Sequence, residues 1–204
     1  MLKEIDGELK QIRASNLDRL LKVVVSQELE KVEDFKFLYR KYGGQPLNQE
    51  LVERECPSWN NRYLIAQTFT AMTLEAFYYD YYVEKESKNK SENEHKQPLA
   101  RFVYLAESYL NQSDVEKSDL YSKLQALNLL RRHWVHHKST EIGKYSNPES
   151  FFTPGECINL IIEVLSLFEK HDQSYLLSSI TKKYLVSVQE NVIHNINSVV
   201  VTAT

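Results

Sequence analysis

The segment Leu129-Leu130-Arg131-Arg132-His133-Trp134-Val135-His136-His137-Lys138 places two arginines, three histidines and one lysine within eight residues. No other part of the chain concentrates such groups. They suit phosphodiester chemistry. Arginine stays charged at any working pH and offers a planar fork of donors to phosphate oxygens. It can also neutralise charge that develops on a phosphate in the transition state. Histidine titrates near neutrality, so one imidazole can accept a proton while another donates one. RNA carries its own nucleophile in the 2′-hydroxyl. Arg131, Arg132, His136 and His137 are therefore candidate catalytic residues, and His133 and Lys138 candidate substrate-binding residues. No metal is needed, and the expected products are a 2′,3′-cyclic phosphate and a 5′-hydroxyl.

A competing reading makes the segment an exposed helix end, because Lys, Arg and His near a helix C-terminus complement its dipole. The histidine spacing matches no zinc motif, and no Cys or clear carboxylate adjoins it, so no metal and no other cofactor is expected. Geometry adds a constraint. Each residue turns a helix by about 100°, so residues five apart point ~140° from each other. Arg131 with His136, or Arg132 with His137, would not converge on one regular helix. Either the helix frays there or a second copy completes the site. Arg132 and His136, four apart, share a face.

The elements that must carry this segment read as helices. Leu17, Leu20, Leu21, Val24 and Val25 recur at three-and-four spacing, continued by Phe35, Leu38 and Tyr42. This predicts helix from residue 2 to about 42, as one helix or as two divided at the capping-box pattern Ser15-Asn16-Leu17-Asp18, stopped by Gly43-Gly44-Gln45-Pro46. A short helix is expected at 48–55. From Pro57-Ser58 a long helix begins that is apolar almost all round, through Tyr63, Ala66, Phe69, Thr70, Thr73, Leu74, Phe77, Tyr78 and Tyr81. That pattern suits a central position. The aromatic run Tyr78, Tyr79, Tyr81 and Tyr82 could stack on RNA bases, but its helical spacing favours packing. Glu75 either orients a catalytic group or pairs with a surface lysine. The polar run 84–97 is expected to be a solvated loop.

Pro98 starts the next helix. Ser113-Asp114-Val115-Glu116 resembles a capping box before the helix with Leu120, Leu124, Leu127 and Leu130 that leads into the charged segment. Residues 138–152 read as loop. Thr153-Pro154-Gly155-Glu156 is the clearest helix start in the chain. Helical spacing continues to the end, although β-branched residues are dense near Val199-Val200-Val201. The fold class is all-α: an antiparallel helical bundle with additional N- and C-terminal helices. Residues 1–204 form one domain, with a core at 58–170, an N-terminal helical extension at 1–45 and a C-terminal helix or tail at 172–204.

The chain has 204 residues, a net charge of −3, 42% hydrophobic residues and only five Gly and five Pro. It is not broadly basic, so RNA contact must come from a local patch. Cys56 and Cys157 lie far apart, too few for a disulfide framework. The N-terminus lacks a signal-peptide pattern, and no apolar run is long enough to cross a membrane. A cytoplasmic protein with no membrane partner is expected.

Arg-x4-His after a Leu-rich helix resembles the signature of the HEPN superfamily. Both Arg131–His136 and Arg132–His137 fit the spacing, and the ending Val135-His136-His137 looks like the family. Upstream, Ala71-Met72-Thr73-Leu74-Glu75-Ala76-Phe77-Tyr78-Tyr79-Asp80 resembles the family's Glu-aromatic helix. The resemblance covers roughly residues 58–170. It implies a helical bundle, usually a homodimer, often a metal-independent endoribonuclease acting as a toxin or phage-defence effector or in RNA processing. RNA and an antitoxin or regulatory protein are the implied partners. Arg131 or Arg132 would take the family's arginine role and His136 or His137 its histidine role, with His133 in the polar position beside Arg132. The sequence departs from the family where a Tyr often follows the His by two residues: Lys138 and Ser139 stand there. Since some members have lost catalysis, the alternative is a non-catalytic module that binds nucleotide, RNA or a protein.

Overall fold

A computed structural model describes residues 2–5, 8–11, 16–45, 47–136 and 152–201. The fold is all-α in class, with eight α-helices among the described residues. They are α1 (Leu17–Lys41), α2 (Gln49–Glu55), α3 (Trp59–Lys85), α4 (Lys88–Asn93), α5 (Pro98–Tyr109), α6 (Asp119–His136), α7 (Pro154–His171) and α8 (Leu176–Val201). None of them is long and apolar enough to cross a membrane.

The centre of the bundle is α3. It runs 27 residues without Gly or Pro and packs against α1, α2, α4, α5, α6 and α7. This explains its all-round apolar sequence, since a helix covered on several sides has no solvent stripe to keep polar. Phe77, Tyr81 and Tyr82 are fully buried, and the Phe168 ring of α7 stands edge-on to Phe77 and Tyr81 at 4.9 and 4.8 Å. The Tyr81 hydroxyl donates to Asp172 at 2.9 Å. The tyrosine run is thus mainly core. Next to it, α1 lies antiparallel: Arg62, early in α3, reaches Asp34, late in α1, at 2.8 Å. Gly43 and Gly44 end α1 with φ of +60° and +76°, a left-handed turn that only glycine enters cheaply.

Two expectations are corrected. The N-terminal extension is not helical from residue 2. Leu2–Ile5 and Glu8–Gln11 pair as antiparallel strands β1 and β2, with Ile5 opposite Glu8, and α1 starts only at Leu17. Asp6-Gly7 separates two four-residue segments in the sequence, and Asp-Gly is among the strongest short hairpin signals. The run 84–97 is not simply a loop. Its first two residues complete α3, and then Ser87 accepts from the Lys90 amide at 3.2 Å to start α4. Ser91 is fully buried there, and its carbonyl accepts from the Arg101 guanidinium at 2.6 Å. A small serine held by an arginine leaves no hydrophobic periodicity for a sequence reading to detect.

Cap signals fared unevenly. Thr153 and Glu156 form the expected reciprocal box, with bonds of 3.1 and 2.7 Å. At 113–116 no box forms. Val115–Lys117 is a 3-10 turn, and Ser118 accepts from the Tyr121 amide at 3.1 Å to open α6.

Candidate functional site

The charged segment is the end of α6, and that helix continues unbroken through His136. Its burial follows its periodicity. Leu124, Leu127 and Leu130 enter the bundle, while Ser122, Gln125, Leu129 and Arg132 are exposed. Arg132 and position 136 therefore lie one turn apart on the outer face, whereas Arg131 and position 136 are ~140° apart. The backbone stays helical through His136, so the angular separation of positions 131 and 136 is that of a regular helix. His137 and Lys138 lie outside the described residues.

Arg131 points sideways rather than outward. Its guanidinium meets the Glu75 carboxylate of α3 at 2.8 Å, with 29% and 34% of the two side chains exposed. This contact joins the charged segment to the Glu-aromatic helix. Among the described residues, Glu75 thus pairs with a candidate catalytic arginine. His133 is only 6% exposed. Its side chain is packed into the bundle, which argues against its reading as a substrate-binding group on the surface.

A second arginine, Arg101, feels the charge of Glu75. Arg101 of α5 is 5% exposed, its guanidinium 5.6 Å from the Tyr79 ring and 5.8 Å from the Tyr82 ring. Burial pulls its proton affinity down, while Glu75, Tyr82 and Tyr79 act in the opposite sense. The sequence reading passed over Arg101. A lone arginine on an amphipathic helix gives no signal until its neighbours are known.

Between α3, α5 and α6 lies a cleft floored by Ala71, Leu74, Leu124 and Leu127, with Asn128 and Arg131 at α6's edge of it. The concavity measures about 300 Å³ including open solvent at its mouth, and it has room inside for about one water molecule. Asn128, one turn before Arg131 and Arg132, was not singled out from the sequence, since an Asn beside a Leu-rich stripe reads as an ordinary outer-face residue.

Burial pushes the Cys157 thiol up to about 12, so it stays protonated and inert as a nucleophile. Among the described residues no group of three or more His, Cys, Asp or Glu is arranged to hold a metal. His95, stacked on Tyr104 at 4.1 Å, and the exposed His194 stand apart from α6's end.

No protein-family model, no curated protein and no solved structure matches this chain.

Proposed function

We propose that this chain is a metal-independent endoribonuclease of the HEPN type that works as a twofold homodimer. One observation carries the reading: α6 is helical through His136, with Arg132 exposed one turn before it. A basic residue and a proton-transfer residue thus share an outer helical face. Arg132 takes the scissile phosphate through its fork of donors. Arg131, oriented by Glu75, adds positive charge at the edge of the same helix. His136 and His137 supply the proton transfers. One imidazole removes the 2′-hydroxyl proton as that oxygen attacks phosphorus, and another protonates the departing 5′-oxygen. The bond from phosphorus to the 5′-oxygen breaks as the bond to the 2′-oxygen forms. Electrons and protons balance without an outside reagent.

The twofold arrangement answers the angular problem. A single helix splays Arg131 and His136 apart, but two helix ends facing each other across a dyad put both arginines and both histidines on one cleft.

The test uses labelled single-stranded RNA in excess chelator, with the full chain beside a His136→Ala/His137→Ala variant. Cyclic-phosphate products from the wild type and none from the variant support the reading. Intact RNA bound equally by both proteins replaces it with a binding module whose charged helix end does no chemistry.

A further inference from the structure

The last turns of α1 present an aromatic ring among cations. Glu33, Lys36, Phe37, Arg40 and Lys41 recur at spacings of three and four, so they share one face of the helix. They line a shallow, open groove of about 660 Å³, counting the solvent in it. Phe37 is 55% exposed, and among the described residues no other phenylalanine is exposed. Three cations against one carboxylate make this face positive in a chain whose net charge is −3.

The cations are not equivalent. Lys36 pairs with Glu33 at 2.7 Å, and only 15% of its side chain is exposed. Lys41 is paired with Glu55 and holds its ammonium 5.6 Å from the centre of the Phe37 ring. Arg40 is exposed, and its guanidinium has no ion pair or hydrogen bond among the described residues. Basic residues in the last turn complement the dipole of α1, which accounts for the charges of Arg40 and Lys41. It does not account for a phenylalanine kept in water between them and Lys36.

We propose that this face of α1 is a contact site for single-stranded RNA, with one base stacked on Phe37 and an adjoining phosphate held by Arg40 and Lys41. The choice of RNA as the strand rests on the proposed ribonuclease reading. A guanidinium fork takes phosphate oxygens, and an exposed ring one turn away takes the flat face of any base. The apolar surface favours a nucleic acid over a protein partner. Leu29, the other exposed large apolar side chain of α1, lies about two turns earlier, with the Glu33–Lys36 pair between. A protein interface is built around a contiguous apolar core, whereas a base needs one ring. Tyr78, Tyr81 and Tyr82 of α3 are buried, while Phe37 is open to a base. The contact also lies away from the bond to be cut. The end of α1 adjoins Arg62 of α3, and Arg131 adjoins Glu75, about 20 Å further along that helix. It therefore grips the strand rather than acting on the scissile phosphate.

The experiment follows binding of a labelled single-stranded RNA of about twelve nucleotides to the full chain, by anisotropy in chelator at several salt concentrations. Phe37→Ala is expected to weaken binding about tenfold and to leave the slope of log affinity against log salt unchanged. Phe37→Trp keeps the stacking surface and binds as the wild type does. Arg40→Ala weakens binding and reduces the salt slope by about 1. Both positions are exposed, so the melting temperature stays the same in all three variants. Where the wild type cuts this RNA, Phe37→Ala raises KM and leaves kcat unchanged. RNA bound as tightly by Phe37→Ala as by the wild type overturns the proposal, as does a Phe37→Trp protein that binds as weakly as Phe37→Ala. An oligoglutamate peptide that competes as well as unlabelled RNA of the same length also overturns it and gives the face to an acidic protein partner. Binding that depends on Phe37, in a chain that cuts no RNA, leaves this contact standing and removes only the ribonuclease reading.

Discussion

Glu75 and Arg131 meet at 2.8 Å with about a third of each side chain open to solvent. An ion pair so exposed contributes only about 0–1 kcal/mol to folding. Its value is directional: it fixes where one guanidinium points. Glu75→Gln is therefore expected to leave Tm within about 2–4 °C of the parent. RNA cleavage, by contrast, is expected to slow by about tenfold, as for other lost positioning contacts. A double-mutant cycle checks the cause. If Glu75 acts through Arg131, then Glu75→Gln adds nothing to the loss already caused by Arg131→Ala. Full additivity would mean that Glu75 acts elsewhere. At this scale the sequence showed the residue types plainly, because few positions combine two arginines with three histidines. It did not show which of them face outward. Arg132 does, Arg131 turns toward α3, and His133 is buried, all within three residues of one helix. Adjacent positions on a helix differ by about 100°, so their fates depend on packing partners that a local motif does not name.

Among the elements, α7 begins with the most complete cap in the fold. Thr153 accepts from the Glu156 amide, and the Glu156 carboxylate accepts from the Thr153 amide. Nearby, the buried Glu28 of α1 also interacts with the Gly155 backbone, and a methyl group added at Gly155 would come within 3.1 Å of the Glu28 carboxylate. The start of α7 is thereby pinned to α1 as well as capped. Thr153→Ala is expected to cost about 1 kcal/mol, the usual loss for an N-cap oxygen. Denaturant melts would show it as a lower midpoint with an unchanged slope. A neutral result would mean that packing of α7 through Ile158, Ile161 and Leu165 already fixes the helix start without the cap. This cap was legible in four consecutive residues. The break before Leu17 was legible as a capping-box pattern at Ser15–Asp18, but the strands β1 and β2 before it are only four residues each, too short for their period to stand out from the helical one that follows. The run 84–97 is the opposite case. What orders α4 is a buried arginine from another helix, and no property of the run itself encodes that contact.

At the scale of the whole molecule, the outer face of α6 is the surface that decides between one copy and two. Ser122, Gln125, Leu129 and Arg132 lie along it, and Leu129 is 47% exposed in a helix whose leucines at 124, 127 and 130 are buried and whose Leu120 is half-buried. An exposed leucine one turn from a candidate catalytic arginine is where a twofold axis would place contact between copies, since an isologous interface sets each such residue against its own mate. The C-terminal helix α8 offers another surface: Val192 is buried at 7% exposure, while Ile193 beside it is 58% exposed. Leu129→Glu puts a charge, and by symmetry two like charges, at the α6 contact. It is expected to yield a monomer by light scattering, with its helical content intact and cleavage lost. Ile193→Glu is expected to leave the dimer and its activity unchanged. A dimer that survives Leu129→Glu but falls apart with Ile193→Glu would move the interface to α8. The two histidine-bearing helix ends would then be separated, and each would have to work with only the groups of its own copy.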